Sequence, residues 1–418
     1  MGSGKGVVVA GGGVIGVCCA YYLARRGARV AALERSRIGD GASFGNAGVI
    51  APGHPPITRP GRVRMAIQSL FHPLRPLYVA PRFDPSLAAW LWMFARHCTE
   101  SHVARAMATL GPMGHRSLRL AGELVAEEAL DCDYRQAGYY EACLTETGLR
   151  ASEREAGFVR SYGYHPEVLS GPELRKREPR LNERVLGGVF YPEAASVNPY
   201  RFVTELAERA QRLGAAFHLD AEAAEVVVEA GRARGVRSSR GDLFDADAVV
   251  IAAGAYGVPL LRKLGIRLPL QAAKGYHRDA VPRGAEPPLL REACVLAERL
   301  VFCTPMGRFT RFAGTLEFSG VNHNIRRPRL EQLTRSAREY FTGIEETETV
   351  SEWCGLRPCL PDGLPAVGPV SRFPGLYIAT GHAMAGLTLG PVTGELIAEC
   401  ILDGAPSLDI TALRPERF

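Results

Sequence analysis

Gly6-Val7-Val8-Val9-Ala10-Gly11-Gly12-Gly13-Val14-Ile15-Gly16 decides the fold of this 418-residue chain. Val7 to Ala10 read as a short buried strand, and Val14 to Arg26 as a helix that stops at Gly27. The turn between them is a G-x-G-x-x-G. Gly11 permits the tight turn, Gly13 lets a pyrophosphate approach the backbone, and Gly16 lets the helix pack closely on the strand. The helix start at Val14 and Ile15 offers unpaired N–H groups and a positive dipole end to phosphates. A second strand, Ala28 to Leu33, ends in Glu34, 18 residues past Gly16, with Arg35 beside it. A carboxylate there can accept hydrogen bonds from an adenosine ribose. Residues 6–24 carry no charge and could imitate a membrane anchor. A membrane helix, however, does not predict strand, glycines, helix, strand and acid in that order. The pattern predicts a dinucleotide site, and NAD and FAD both fit it.

Composition excludes disorder and fibrous folds, with 46% hydrophobic and 22% charged residues. The net charge is +6, but only four of the 50 basic residues are lysines, and the arginines are scattered among acids. That distribution argues against a nucleic-acid surface. The ten cysteines form no CxxC pair and no zinc-type spacing, so no metal site is expected. Residues 55–115 are broken by prolines. They contain an apolar run at 64–71 and another at 87–94, which reads as a core helix too short to span a bilayer.

Six further blocks resemble, in order, the flavin-dependent amine oxidoreductases typified by D-amino acid oxidase and glycine oxidase. The likeness is greatest to the bacterial D-amino acid dehydrogenase branch. Gly41-Ala42-Ser43-Phe44-Gly45-Asn46-Ala47-Gly48 is similar to a loop that wraps the flavin pyrophosphate and ring edge. Leu186 to Phe202 resembles a passage in which Asn198-Pro199 starts a helix, Asn198 acting as its N-cap. Ala246 to Ala255, with Ala253 and Gly254, resembles a strand closing the FAD domain, and Lys274-Gly275-Tyr276-His277 follows it. Arg311 to Phe318 resembles a strand roofing the substrate pocket. Trp353 to Gly368 carries a G-x-R-P in which the arginine, here Arg357, holds the substrate carboxylate in the family. Gly375 to Pro391 resembles a glycine-rich turn and helix start facing the flavin pyrimidine, with Gly381, His382, Gly386, Leu387 and Thr388.

The resemblance implies an α/β fold: a discontinuous Rossmann-like FAD-binding domain plus an α+β substrate domain with a large antiparallel sheet. The expected division is 1–60, 198–270 and 350–418 for the former, 61–197 and 271–349 for the latter. It implies non-covalent FAD, because Cys354 and Cys359 miss the spacing of relatives that tether it. The implied reaction is oxidation of the CH–NH bond of an amino acid, a D-amino acid first, by hydride transfer to flavin N5. The imine then hydrolyses to a 2-oxo acid. Arg357 would anchor the carboxylate, and Tyr276, His277 and His382 would line the pocket or donate to the substrate, Tyr276 and His382 being counted with Arg357 as catalytic. Alternatives are a cyclic or N-methyl amino acid, sarcosine or glycine, or a natural-product amine. A non-catalytic FAD protein and an NAD-dependent dehydrogenase are readings from other classes. Oxygen or a quinone would accept the electrons, in a cytoplasmic protein with room for a peripheral membrane contact.

Overall fold

The computed structural model describes residues 4–70, 72–284 and 288–418, so Phe71 of the 64–71 run lies outside them. The valine run forms β1 (Gly6–Ala10), every residue of it buried. The glycine turn leads into helix α1 (Val14–Arg25), which ends one residue earlier than the sequence suggests. β2 (Arg29–Leu33) and β3 (Ala248–Ile251) flank β1 on either side, both parallel to it. Three further strands (216–218, 366–369 and 376–380) complete a six-stranded sheet, parallel except at one edge. The chain thus runs outward from β1 to one side and later to the other. A crevice opens where the direction reverses, at the carboxyl ends of β1 and β3.

The second layer is a nine-stranded, mostly antiparallel sheet. Its edge holds β4 (Gln271–Pro282), β5 (Phe309–Phe318) and β6 (Thr347–Cys359), with β4 between the other two. β6 runs unbroken through position 350, so the division expected there would cut a paired strand.

Helix α2 (Arg62–Ser69) and helix α3 (Pro85–His97) cover one end of this sheet. Asp84 caps α3 by accepting the N–H groups of Ser86 and Leu87, both at 3.0 Å. α3 buries Leu87, Trp90 and Phe94, and the Trp90 indole N–H donates to the Cys359 carbonyl at 3.0 Å. The helix was expected as core, and one face is; Trp92 on the other is 61% exposed. Helix α4 (Glu100–Glu127) was not anticipated, and it runs on through Pro112. It packs with α1 and with helix α5 (Gly386–Leu402) in one core, so residues from the expected substrate segment buttress the nucleotide-binding layer. Asn198 caps its helix as expected, its side chain accepting the Arg201 N–H at 3.3 Å. No helix among the described residues is long and apolar enough to cross a membrane.

Candidate active site

Two adjoining cavities occupy the seam between the sheets. The first, about 340 Å³, lies along the carboxyl ends of β1, β2 and β3. Gly11, Gly13, Val14 and Ile15 form its floor, Glu34 and Arg35 one end, and Ala253 and Gly254 a wall. Gly11 has φ +119°, and a Cβ there would sit 2.5 Å from the Ala252 carbonyl oxygen. Glu34 accepts the Gly12 N–H at 2.8 Å and the Ser36 N–H at 3.0 Å, one on each oxygen. Those bonds aim the carboxylate; the Ser36 hydroxyl also donates to Oε1 at 3.5 Å, and Oε2 keeps a lone pair for a hydroxyl ligand. The Arg35 guanidinium lies 3.6 Å from the centroid of the Tyr256 ring.

Ser43 and Asn46 also line this cavity, but each has a local task that sequence reasoning missed. Ser43 Oγ accepts the Val14 N–H at 2.9 Å, and Asn46 Oδ1 accepts the Gly48 N–H at 2.9 Å. Ser43 therefore ties the loop to the α1 N-terminus, and Asn46 shapes the turn that follows. Arg311 holds the same loop from the other sheet. Its guanidinium pairs with Asp279 at 2.8 and 2.9 Å and donates to the carbonyls of Phe44 and Asn46 at 2.8 and 2.9 Å.

Seven expected residues do not line either cavity. Gly16 lies behind the floor, where a Cβ would be 1.8 Å from the Gly11 carbonyl oxygen. Ala47 and Gly48, at the end of the loop, are not among the lining residues, and at Gly48 (φ +75°) Met306 and Val197 fill the space a Cβ would take. Gly381, at φ +82°, turns the chain against Leu360. Thr388 Oγ1 accepts the Ala51 N–H at 3.1 Å. Tyr276 points away from the cleft and donates to Glu317 at 3.0 Å. Burial and then the Glu317 charge raise its phenol pKa, so the hydroxyl stays protonated against Glu317. His277 is likewise absent from the cavity walls; it stacks on Trp353 with ring centroids 5.3 Å apart. Burial and then Arg311 hold its pKa down to about 4.

His382 does face the first cavity, beside Gly386 and Leu387 at the start of α5. Its Nε2 shares a hydrogen bond with Thr393 at 3.0 Å, while Nδ1 is buried without a partner. Burial holds its pKa down to about 3, so the ring is neutral. Trp353, which sequence reasoning did not assign to the site, covers the Gly45 end; a Cβ on Gly45 would be 1.9 Å from its ring.

The second cavity, about 230 Å³, lies beneath α2 and α3. Ile57, Leu77, Trp90, Phe318 and Met384 give it an apolar wall. Among the described residues, Arg357 alone lines both cavities. β6 delivers it there. The guanidinium lies on Gly275, where a Cβ would be 2.5 Å from Cζ, and it donates to the Thr315 carbonyl. No carboxylate pairs with it among the described residues, and burial lowers its pKa. Thr315 itself has φ +66° and a buried hydroxyl without a partner. Such strain costs about 1–3 kcal/mol and collects at functional sites.

The donor set fits a bound dinucleotide with a flat aromatic head. One end offers a helix N-terminus, a floor opened by Gly11 and Gly13, and an aimed carboxylate. The other offers the α5 N-terminus and an orphaned imidazole nitrogen. Comparison with known proteins agrees. The model of the family described as "DAO: FAD dependent oxidoreductase" matches residues 6–400. The D-amino acid dehydrogenase of Methylobacterium nodulans is 34% identical over 99% of both chains, and that of Agrobacterium fabrum 31% over 99% of both. Among solved structures, glycine oxidase from Geobacillus kaustophilus superposes with a TM-score of 0.77 at 25% identity over 99% of both chains. L-proline dehydrogenase from P. horikoshii shares the fold, with a TM-score of 0.79 at 19% identity over 100% of this chain and 98% of the other. Sequence match and site geometry agree end to end: the chain belongs to the DAO family of FAD-dependent oxidoreductases.

Proposed function

We propose that the chain oxidises an α-amino acid at its Cα–N bond, with D-amino acids as the substrates implied by its relatives. One observation carries the reading. A buried guanidinium with no carboxylate partner among the described residues stands where the dinucleotide cavity meets an apolar one. Its planar fork can grip a carboxylate through two parallel charge-assisted hydrogen bonds. A carboxylate held by Arg357 fixes Cα at the seam, so positioning supplies most of what the protein must contribute. FAD, when bound, supplies the acceptor for the Cα hydride. The unpartnered Thr315 hydroxyl is a second contact for the substrate, and the apolar wall keeps water from the reacting carbon. His382, kept neutral by burial, adds no competing charge beside Arg357.

Gly11, Gly13, Val14, Ile15, Glu34, Arg35, Ser43, Asn46, Ala253, Gly254, Gly386 and Leu387 are the proposed FAD contacts. The cofactor is proposed to be non-covalent: Cys354 donates to the His323 carbonyl, Cys359 is buried, and neither lines the cavity. Electrons would leave to oxygen or a quinone. Exposed Ile67, Leu70, Phe83 and Trp92, with Arg96 4.7 Å from the Trp92 ring, support a peripheral membrane contact in the 62–97 segment.

The test is anaerobic addition of D-amino acids, L-amino acids and cyclic or N-methyl amines to the holoenzyme. Bleaching of the flavin band by D-amino acids first is the expected result. A band that no amino acid bleaches would refute the reading.

A further inference from the structure

The second cavity holds more charge than a simple amino acid needs. Besides Arg357 it is lined by His54, Arg59, Arg62, Glu141 and Glu155. Arg59 is fully engaged. It pairs with Glu155 and donates to the carbonyls of Pro55 and Pro56 at 3.3 and 3.2 Å and to His54 Nε2 at 2.9 Å. Glu155 is thereby neutralised. His54 is kept uncharged by burial and then by Arg59, which hold its pKa down to about 3. Glu141 accepts the Ser152 hydroxyl at 3.1 Å, and burial and then Glu155 push its pKa up to about 7. It therefore brings only a partial charge at neutral pH.

Arg62 is different. At the first position of α2, it has a single polar contact, Nη1 to the Met65 sulfur at 3.4 Å, and a thioether is a weak acceptor. No carboxylate pairs with it among the described residues. Arg62 and Arg357, neither of them in an ion pair among the described residues, thus share one small cavity, with Glu155 and Glu141 acting on Arg62 only at longer range. Like charges crowded out of water are retained at a penalty unless a ligand of opposite charge enters with them.

We infer that the substrate carries a second carboxylate, received by Arg62 while Arg357 holds the first. The substrate class is an acidic amino acid whose methylenes lie against Leu77, Val79 and Trp90. This rests on the proposed amino acid oxidation, and the test separates the two.

Glutarate and valerate, a diacid and a monoacid of equal chain length that cannot be oxidised at an amine, are titrated into the holoenzyme. Perturbation of the flavin absorbance band is the readout. The diacid should bind roughly tenfold or more tightly, as one added charge-assisted contact implies. In Arg62→Gln the two should bind within about twofold of each other, and Arg62→Lys should restore the preference. Equal binding in the wild type overturns the inference, as does a preference that survives Arg62→Gln. If Arg62→Gln does not fold, the wild type and Arg62→Lys still decide. In turnover, D-glutamate should exceed D-glutamine as reductant, and an advantage for D-lysine would overturn the inference by pointing to Glu141 and Glu155. D-glutamine matching D-glutamate while both bleach the flavin sinks only the diacid site. Tight glutarate binding with no amino acid bleaching sinks only the oxidation reading.

Discussion

Replacing Arg357 with methionine should weaken catalysis and leave the protein at least as stable, a pair of effects that a structural arginine cannot produce. Among the described residues the guanidinium makes one hydrogen bond, to the Thr315 carbonyl, and pairs with no acid. Losing that bond costs about 1.5–3 kcal/mol. Against it stands the penalty of keeping an unpaired cation out of water, several kcal/mol per ion even after relaxation. The net change in stability is therefore near zero or favourable, and melting of substrate-free holoenzyme should show it. Substrate binding loses two charge-assisted hydrogen bonds, about 3–6 kcal/mol together. That corresponds to a fall in kcat/KM of roughly 10²- to 10⁴-fold. Titration with a carboxylate ligand, read from the flavin band, should show the same loss without turnover. A melting temperature lowered by several degrees with kcat/KM nearly intact would refute the reasoning and make Arg357 a structural residue.

Other positions give outcomes as definite. In Gly16→Ala the new methyl group would meet the Gly11 carbonyl oxygen at 1.8 Å. Normal contact needs the helix and turn to part by roughly 1.5 Å, so the variant should lose about 1–3 kcal/mol or more and purify with little FAD. Denaturant unfolding and the flavin-to-protein absorbance ratio check both. Asp279→Asn strands the buried Arg311 guanidinium and should cost about 3–5 kcal/mol. Replacing both partners with apolar residues should recover much of that stability but leave the 41–48 loop untethered, visible as weaker FAD retention. Glu141 has a folded pKa of about 7 against 4.5 as its ordinary value. As pH rises the unfolded chain releases this proton first, so the folded state has its full stability below pH 4.5 and loses it through pH 7. Glu141→Gln should therefore gain melting temperature relative to wild type across that window, and parallel curves would contradict the assignment. Acid precipitation should leave the yellow colour in the supernatant; colour in the pellet would mean a covalent flavin.

The dinucleotide half was legible because its chemistry is local. Strand, glycine turn, helix and acid all lie within residues 6–34, and the turn geometry forces glycine at Gly11. Arg357 was legible only through the family resemblance, since nothing local distinguishes it among so many arginines. Tyr276 and His277 were misplaced for a reason that can be located. The pairing of β4 with β5 shifts register between Lys274 and Tyr276, and such an irregularity breaks the alternation by which sequence assigns faces. The second cavity was illegible because its walls come from the 54–62 segment, α3, a strand at 139–143, β5 and β6, whose meeting is a tertiary fact. Thr315 gave no signal either: a β-branched residue inside a strand does not announce a positive φ.

The position of Arg357 follows from β6 being at once a sheet edge and a partition. Trp353, Leu356, Arg357 and Pro358 all border the dinucleotide cavity, while the backbone of the same strand pairs with β4 along its length. A side chain long enough to reach from that strand across Gly275 arrives in the neighbouring cavity without leaving the first. Any residue with a Cβ at 275 would collide with the guanidinium at 2.5 Å and push it out of the seam. The glycine between Lys274 and Tyr276 therefore fixes where the guanidinium, the proposed carboxylate anchor, lies.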